Sequence, residues 1–206
     1  MIVAFALGAC VQLAAQKVDY FVINKGDLVG LVDTNGMQIV EPKYSTIGEF
    51  DVLKKGWAKI TKGDLVGYID RAGKEVLSPV YQDVKKFGLY NSNWSLVTKE
   101  GKLGFVNKEG VVVVKPVYDE IGLFGSVKKG WAKVKLDGKF GFIDGEGEIV
   151  VPTIYDTIDN FNVYKKNLAI VTVSGKYGLI NMDGVETLAP IYDNLKPLDN
   201  KEIKSK

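Results

Sequence analysis

"GWAKITKGDLVGYID" at Gly56–Asp70 returns as "GWAKVKLDGKFGFID" at Gly130–Asp144, 74 residues further on, and a weaker copy, "NWSLVTKEGKLGFVN", stands midway at Asn93–Asn107. The interval is 37 residues, and other residue types keep it. Gly30, Gly67, Gly104, Gly141 and Gly178 form one series, and Gly36, Gly73, Gly110, Gly147 and Gly184 a second. Tyr44, Tyr81, Tyr118, Tyr155 and Tyr192 form a third; Asp33, Asp70, Asn107, Asp144 and Asn181 a fourth. Trp57, Trp94 and Trp131 share a position that Tyr20 and Leu168 complete. Self-similarity at a fixed period of this length marks a repeat architecture.

The unit is legible from its turns. "WAKIT" is a short strand of alternating character. It ends at a two-residue loop holding Gly-Asp at 26–27 and 63–64, then Glu-Gly, Asp-Gly and Ser-Gly in later units. Gly in the first place suits a type II′ hairpin, and Asp-Gly and its relatives suit type I′. Either places Ile60 opposite Gly67 and Ala58 opposite Ile69. The gap left by Gly67 is read as the place where the next unit or a large side chain packs. The second strand ends in Asp/Asn-x-x-Gly, a type I turn whose side chain accepts backbone N–H bonds. A third strand follows, as in "VVVVKP" at Val111–Pro116, then a Tyr-x-x-Ile/Val-x-x-Phe segment. The latter reads as a bulged fourth strand or a turn of 3₁₀ helix. Gly56, Asn93, Gly130, Asn167 and Asp19 precede the first strand of each unit, where a left-handed kink is expected.

The expected fold is all-β: five tandem repeats of three or four short antiparallel strands. Their bounds are about 19–55, 56–92, 93–129, 130–166 and 167–200, in one domain spanning 17–200, with a polar tail at 201–206. A unit this small cannot bury both faces alone, so neighbours must cover it. The array is read as open, curved and solenoid-like, with a closed five-bladed propeller as the alternative. These residues resemble the WG-repeat family of bacterial β-repeats over nearly all of 18–198. The hallmark Trp-Gly pair is altered here, the residue before the Gly being Val29, Val66, Leu103, Phe140 or Tyr177. The resemblance implies repeat architecture and interaction roles, and no reaction.

Composition narrows function by exclusion. There is no histidine, so catalysis and zinc ligation by His are excluded, and the lone cysteine, Cys10, cannot form an intrachain disulfide. A net charge of +2 gives no reason to expect nucleic acid. No cofactor is expected. The uncharged stretch "MIVAFALGACVQLAAQ" (1–16) is too short to span a membrane and suits a secretory signal. Within it, "LGAC" at Leu7–Cys10 resembles a lipobox, which makes Cys10 a candidate for lipidation; cleavage near Ala14–Gln16 is the other reading.

Two periodic rows are candidate binding residues. Trp57, Trp94 and Trp131 could form an exposed aromatic ladder for sugars or peptides, set against burial at a packing contact. Lys54, Lys128 and Lys165 share another position, interrupted by Asn91, and could form a basic stripe toward an anionic surface, set against a solvated edge. Calcium ligation by the Asp/Asn row and acid–base chemistry at "DGEGE" (144–148) are set aside in favour of turns. The expectation is a non-enzymatic, extracytoplasmic binding module of the bacterial cell envelope, exported to the periplasm, outer membrane or medium, with an envelope protein or glycan as partner. A structural or assembly role in an envelope complex is the alternative.

Overall fold

The computed structural model describes residues 19–198, and within them every regular element is a strand. The first sheet holds β1 (Tyr20–Lys25), β2 (Leu28–Asp33) and β3 (Gln38–Tyr44). The second holds β4 (Thr46–Phe50), β5 (Ala58–Lys62), β6 (Leu65–Ile69) and β7 (Glu75–Tyr81). The third holds β8 (Asp83–Val84), β9 (Trp94–Lys99), β10 (Lys102–Asn107) and β11 (Val112–Tyr118). The fourth holds β12 (Glu120–Ile121), β13 (Ala132–Leu136), β14 (Lys139–Ile143) and β15 (Ile149–Tyr155). The fifth holds β16 (Thr157–Ile158), β17 (Leu168–Val173), β18 (Lys176–Asn181) and β19 (Glu186–Tyr192). All ladders are antiparallel and follow chain order, and among the described residues neither a ladder nor a core cluster joins the first sheet to the last, so the array is open. The signal-like segment with Cys10 and the tail at 201–206 lie outside the described residues.

The hairpins form as their turn residues dictate. Ala58 pairs with Ile69, Lys59 with Tyr68 and Ile60 with Gly67. In the Gly-Asp loops only the glycine has positive φ, at 61° in Gly26 and 58° in Gly63. In the other three loops both residues do, as at Asp137 (50°) and Gly138 (80°). Two turn chemistries therefore reach one hairpin. At Asp70, Oδ1 accepts the N–H groups of Ala72 and Lys74, both at 2.9 Å, and the N–H of Gly73 reaches the Asp70 carbonyl at 3.0 Å. The other four Asp/Asn turns repeat this pattern.

Two local expectations need correction. The left-handed kink occurs at Gly56, Gly130 and Asn167, but not at Asn93. At Asn93 the backbone N–H is instead caught by Oδ1 of Asn91 at 3.1 Å. The gap at the strand glycine is filled by the same repeat and not by the next. A Cβ on Gly67 would lie 2.4 Å from the Leu77 carbonyl oxygen, because β7 bulges between Leu77 and Tyr81 and folds its backbone over β6.

The Tyr-x-x-Ile/Val segment is a strand, and it belongs to the sheet that follows. Val84 pairs with Val97, Ile121 with Val134 and Ile158 with Val171. Each repeat thus hands its last strand to its successor. Hydrophobic packing then joins the sheets face to face. Trp94, Leu96, Phe105, Val114 and Tyr118 of the third sheet cover Ala132, Val134 and Ile143 of the fourth. The same positions build the other three seams. Burying one indole contributes at most about 4–6 kcal/mol at ~25 cal/mol/Å² over ~150–250 Å².

Candidate interaction surface

The aromatic ladder, and the basic stripe at Lys54 and Lys128, are taken up by the seams. Trp57, Trp94 and Trp131 are only 5%, 7% and 7% exposed, so they offer no ladder to a ligand. Each stacks on an aromatic neighbour, as Trp94 does on Phe105 at 5.3 Å and edge-on to Phe124 at 5.7 Å. Lys54 Nζ donates to the Lys108 carbonyl at 2.5 Å, and Lys128 Nζ to the Met182 carbonyl at 2.6 Å. Asn91, the apparent interruption, donates from the same position to Gly145 at 3.5 Å. The lysine ammonium groups also lie 4.7 Å and 4.4 Å from the Trp57 and Trp131 ring centroids. This row pins each sheet to the turn of the next. Lys165, between β16 and β17 of the last sheet, has no following turn among the described residues and is exposed.

A second polar device grips the hairpin loops. Gly63, Gly101, Asp137 and Ser174 donate their N–H groups to side chains of Ser45, Gln82, Asp119 and Asp156. Hydrogen bonds from Lys102 and Lys139, aided by those loop amides, hold the Asp119 and Asp156 carboxyls below the usual carboxylate range. Among the described residues the acidic side chains of the periodic turns are thus spent on backbone amides, as the turn reading expects.

What remains exposed and periodic is apolar. The third strand of every repeat is a sheet edge, paired on one side only. Val80, Val117, Ile154 and Ile191 occupy one position on four successive edges and are 38%, 40%, 48% and 66% exposed. Val112 and Ile149 extend the strip, and Val113, Val117, Tyr118, Gly147 and Ile149 line a groove between the third and fourth sheets. Lys43 holds the same position in the first repeat. Pro42, Pro79, Pro116, Pro152 and Pro190 lie in these edge strands and remove an N–H donor from each. The edges therefore present side chains more than backbone. Sequence reading missed this row; its signal was an apolar residue between the Pro and Tyr of repeats whose inward positions were already filled.

These features define a tandem β-repeat protein with an open array and a periodic edge surface. The model for the WG containing repeat matches residues 30–65, 67–102, 104–140, 140–177 and 177–201, and the chain belongs to that family. The first four matched segments each start in a second strand and end in the following repeat, so each straddles a seam. No curated protein matches the sequence. Among solved structures the chain is similar to PorZ, a bacterial surface component of the type-IX secretion system of Porphyromonas gingivalis. The identity is 14% and the TM-score 0.29, over 84% of this chain and 26% of that one. It is also similar to AztD of Citrobacter koseri, at 12% identity and a TM-score of 0.26, over 88% of this chain and 58% of that one. The chain thus spans less than two thirds of either protein. Among the described residues, no helix is long and apolar enough to cross a membrane.

Proposed function

We propose that this chain is a non-enzymatic binding module of the bacterial cell envelope, exported by its N-terminal segment, which takes a protein partner along its outer edge. The observation that carries this reading is the row Val80, Val117, Ile154 and Ile191. Four branched apolar side chains exposed at one repeated position form a strip of the kind that marks interaction surfaces. A protein suits the strip better than a glycan, because the tryptophans that would stack on sugar rings are buried. Lipidation at Cys10 would tether the module to a membrane, leaving the edge free.

The test compares the wild-type chain with Val117→Lys/Ile154→Lys in titrations against arrayed envelope proteins and glycans. Lysine already occupies this position in the first repeat, so the variant keeps the fold. Saturable binding to a protein, weakened at least about tenfold in the variant with unchanged melting, supports the reading. Equal binding by the variant, or binding to a glycan alone, would overturn it. Cell fractionation with palmitate labelling of wild type and Cys10→Ser tests export and lipidation.

A further inference from the structure

Every seam in this array is made by the same set of devices, and among the described residues the unused halves of that set lie in the first and last sheets. The apolar halves come first. Ala58, Ile60 and Ile69 are fully covered by the preceding sheet, as are their counterparts in the later sheets. The corresponding residues of the first sheet are Phe21, which is 53% exposed, with Ile23 and Val32 half-buried. The opposite face, which in each internal sheet covers its successor, is only partly covered in the last sheet: Tyr192 is 46% exposed, Leu168, Leu179 and Leu188 are half-buried, and Leu195 and Pro197 line a pocket with Leu168 and Leu179.

The polar halves match in the same way. The first sheet has three strands where the others have four, and among the described residues β1 pairs only with β2. At the far end, Asn194 and Leu195 hold the sequence position of the short strands β8, β12 and β16, yet form no strand. Asp193 holds the loop-gripping position of Asp119 and Asp156, with its side chain 90% exposed and bonded to Lys176. Lys165 holds the pinning position of Lys54 and Lys128. Gly110 meets the Val76 carbonyl of the preceding repeat, and Gly184 that of Val150, but Gly36 has nothing within 4 Å.

We propose that chains associate head to tail, the last sheet of one copy seating on the first sheet of the next. The occupant is a second copy because each device continues in register across the junction. Asn194 and Leu195 fall opposite Asn24 and Ile23 of the next copy, Asp193 meets the Gly26 amide, and Lys165 reaches the Thr34 carbonyl. A foreign partner would have to reproduce all of these at once. The contact is heterologous, using different surfaces on the two copies, so it propagates until a ring closes or a filament grows. It is independent of the outer edge and of the binding role proposed for that edge.

Sedimentation velocity of the full chain from about 1 to about 100 µM tests this, with Phe21→Asp blocking one face and Tyr192→Asp the other. Both sites are exposed, so both variants fold, which circular dichroism checks. The wild type should grow beyond a dimer with concentration. Each variant alone should stay monomeric, and an equimolar mixture should stop at a dimer, because each variant keeps one competent face. Asp193→Lys should raise the dissociation constant about tenfold, and Val117→Lys/Ile154→Lys should associate like the wild type. A wild type monomeric at every concentration would overturn the proposal. Self-association of either variant alone, or a mixture that stays monomeric, would also overturn it.

Discussion

Glycine carries the period at the residue scale, and its two main series do different work. Gly67 and its equivalents admit the backbone of their own third strand, whereas Gly73, Gly110, Gly147 and Gly184 admit the preceding repeat. A Cβ on Gly110 would sit 1.9 Å from the Val76 oxygen, and its φ of 82° is already costly for an L side chain. Gly36 has nearly the same φ, 81°, but open space around it. Gly110→Ala should therefore cost the left-handed strain plus displacement of a neighbouring strand, in total more than about 2–3 kcal/mol, and Gly36→Ala only about 1 kcal/mol. Chemical denaturation of the two variants as monomers measures the difference, and equal losses would refute the seam contact at Gly110. The Trp position follows the same logic. Trp94→Ala would empty a seam and cost about 3–5 kcal/mol, so it probes packing and not ligand binding.

At the scale of the strand, what could be read from the sequence was what local chemistry decides. Asp/Asn-x-x-Gly and the two-residue loops specify their own geometry, so the hairpin register followed from them. The fourth strand could not be read this way, because its partner lies across a loop in the following repeat. The lysine row was opaque for a related reason. Its acceptors lie 54 residues ahead, and a periodic lysine looks the same whether water or a peptide carbonyl awaits it. Tyr44 and Glu75 show another seam contact of this range, the hydroxyl donating to Oε1 at 2.7 Å. That bond, with help from Ser78 and Lys43, lowers the Glu75 carboxyl from its ordinary 4.5, and burial together with Glu75 raises the Tyr44 hydroxyl. A carboxyl lowered in the folded state adds stability above its unfolded value and loses it as pH falls through the folded one. The melting-temperature gap between wild type and Tyr44→Phe should thus be present at pH 7, shrink as pH falls below 4.5 and close once the lowered carboxyl is protonated in the folded state as well. Tyr118, whose counterpart to Glu75 is Ile149, is the control, and Tyr118→Phe should show no such closure.

For the molecule as a whole, neighbour-only contacts set the stability profile. Each sheet touches the one before and the one after, and among the described residues the first and last sheets each have a neighbouring sheet on one face only. Such a chain behaves as a one-dimensional array of coupled units. Below the association threshold, amide hydrogen exchange should be slowest in β9, β10, β13 and β14 and faster in β1, β2, β18 and β19. Uniform protection across all five sheets would instead indicate a single all-or-none unit. Openness of the array was legible in the sequence only as one of two readings, the closed five-bladed propeller being the other. The character of the outer edge was not, because exposure belongs to the assembled stack.

The donation of a short strand from every repeat to its successor has a further consequence. Connectivity and hydrogen bonding change hands at different points, so there is no natural breakpoint at which a protease or a truncation could remove a unit cleanly. A gene that gained or lost one whole period, starting at any codon, would nevertheless restore each junction. Length can therefore drift by unequal crossing-over while the joinery stays intact.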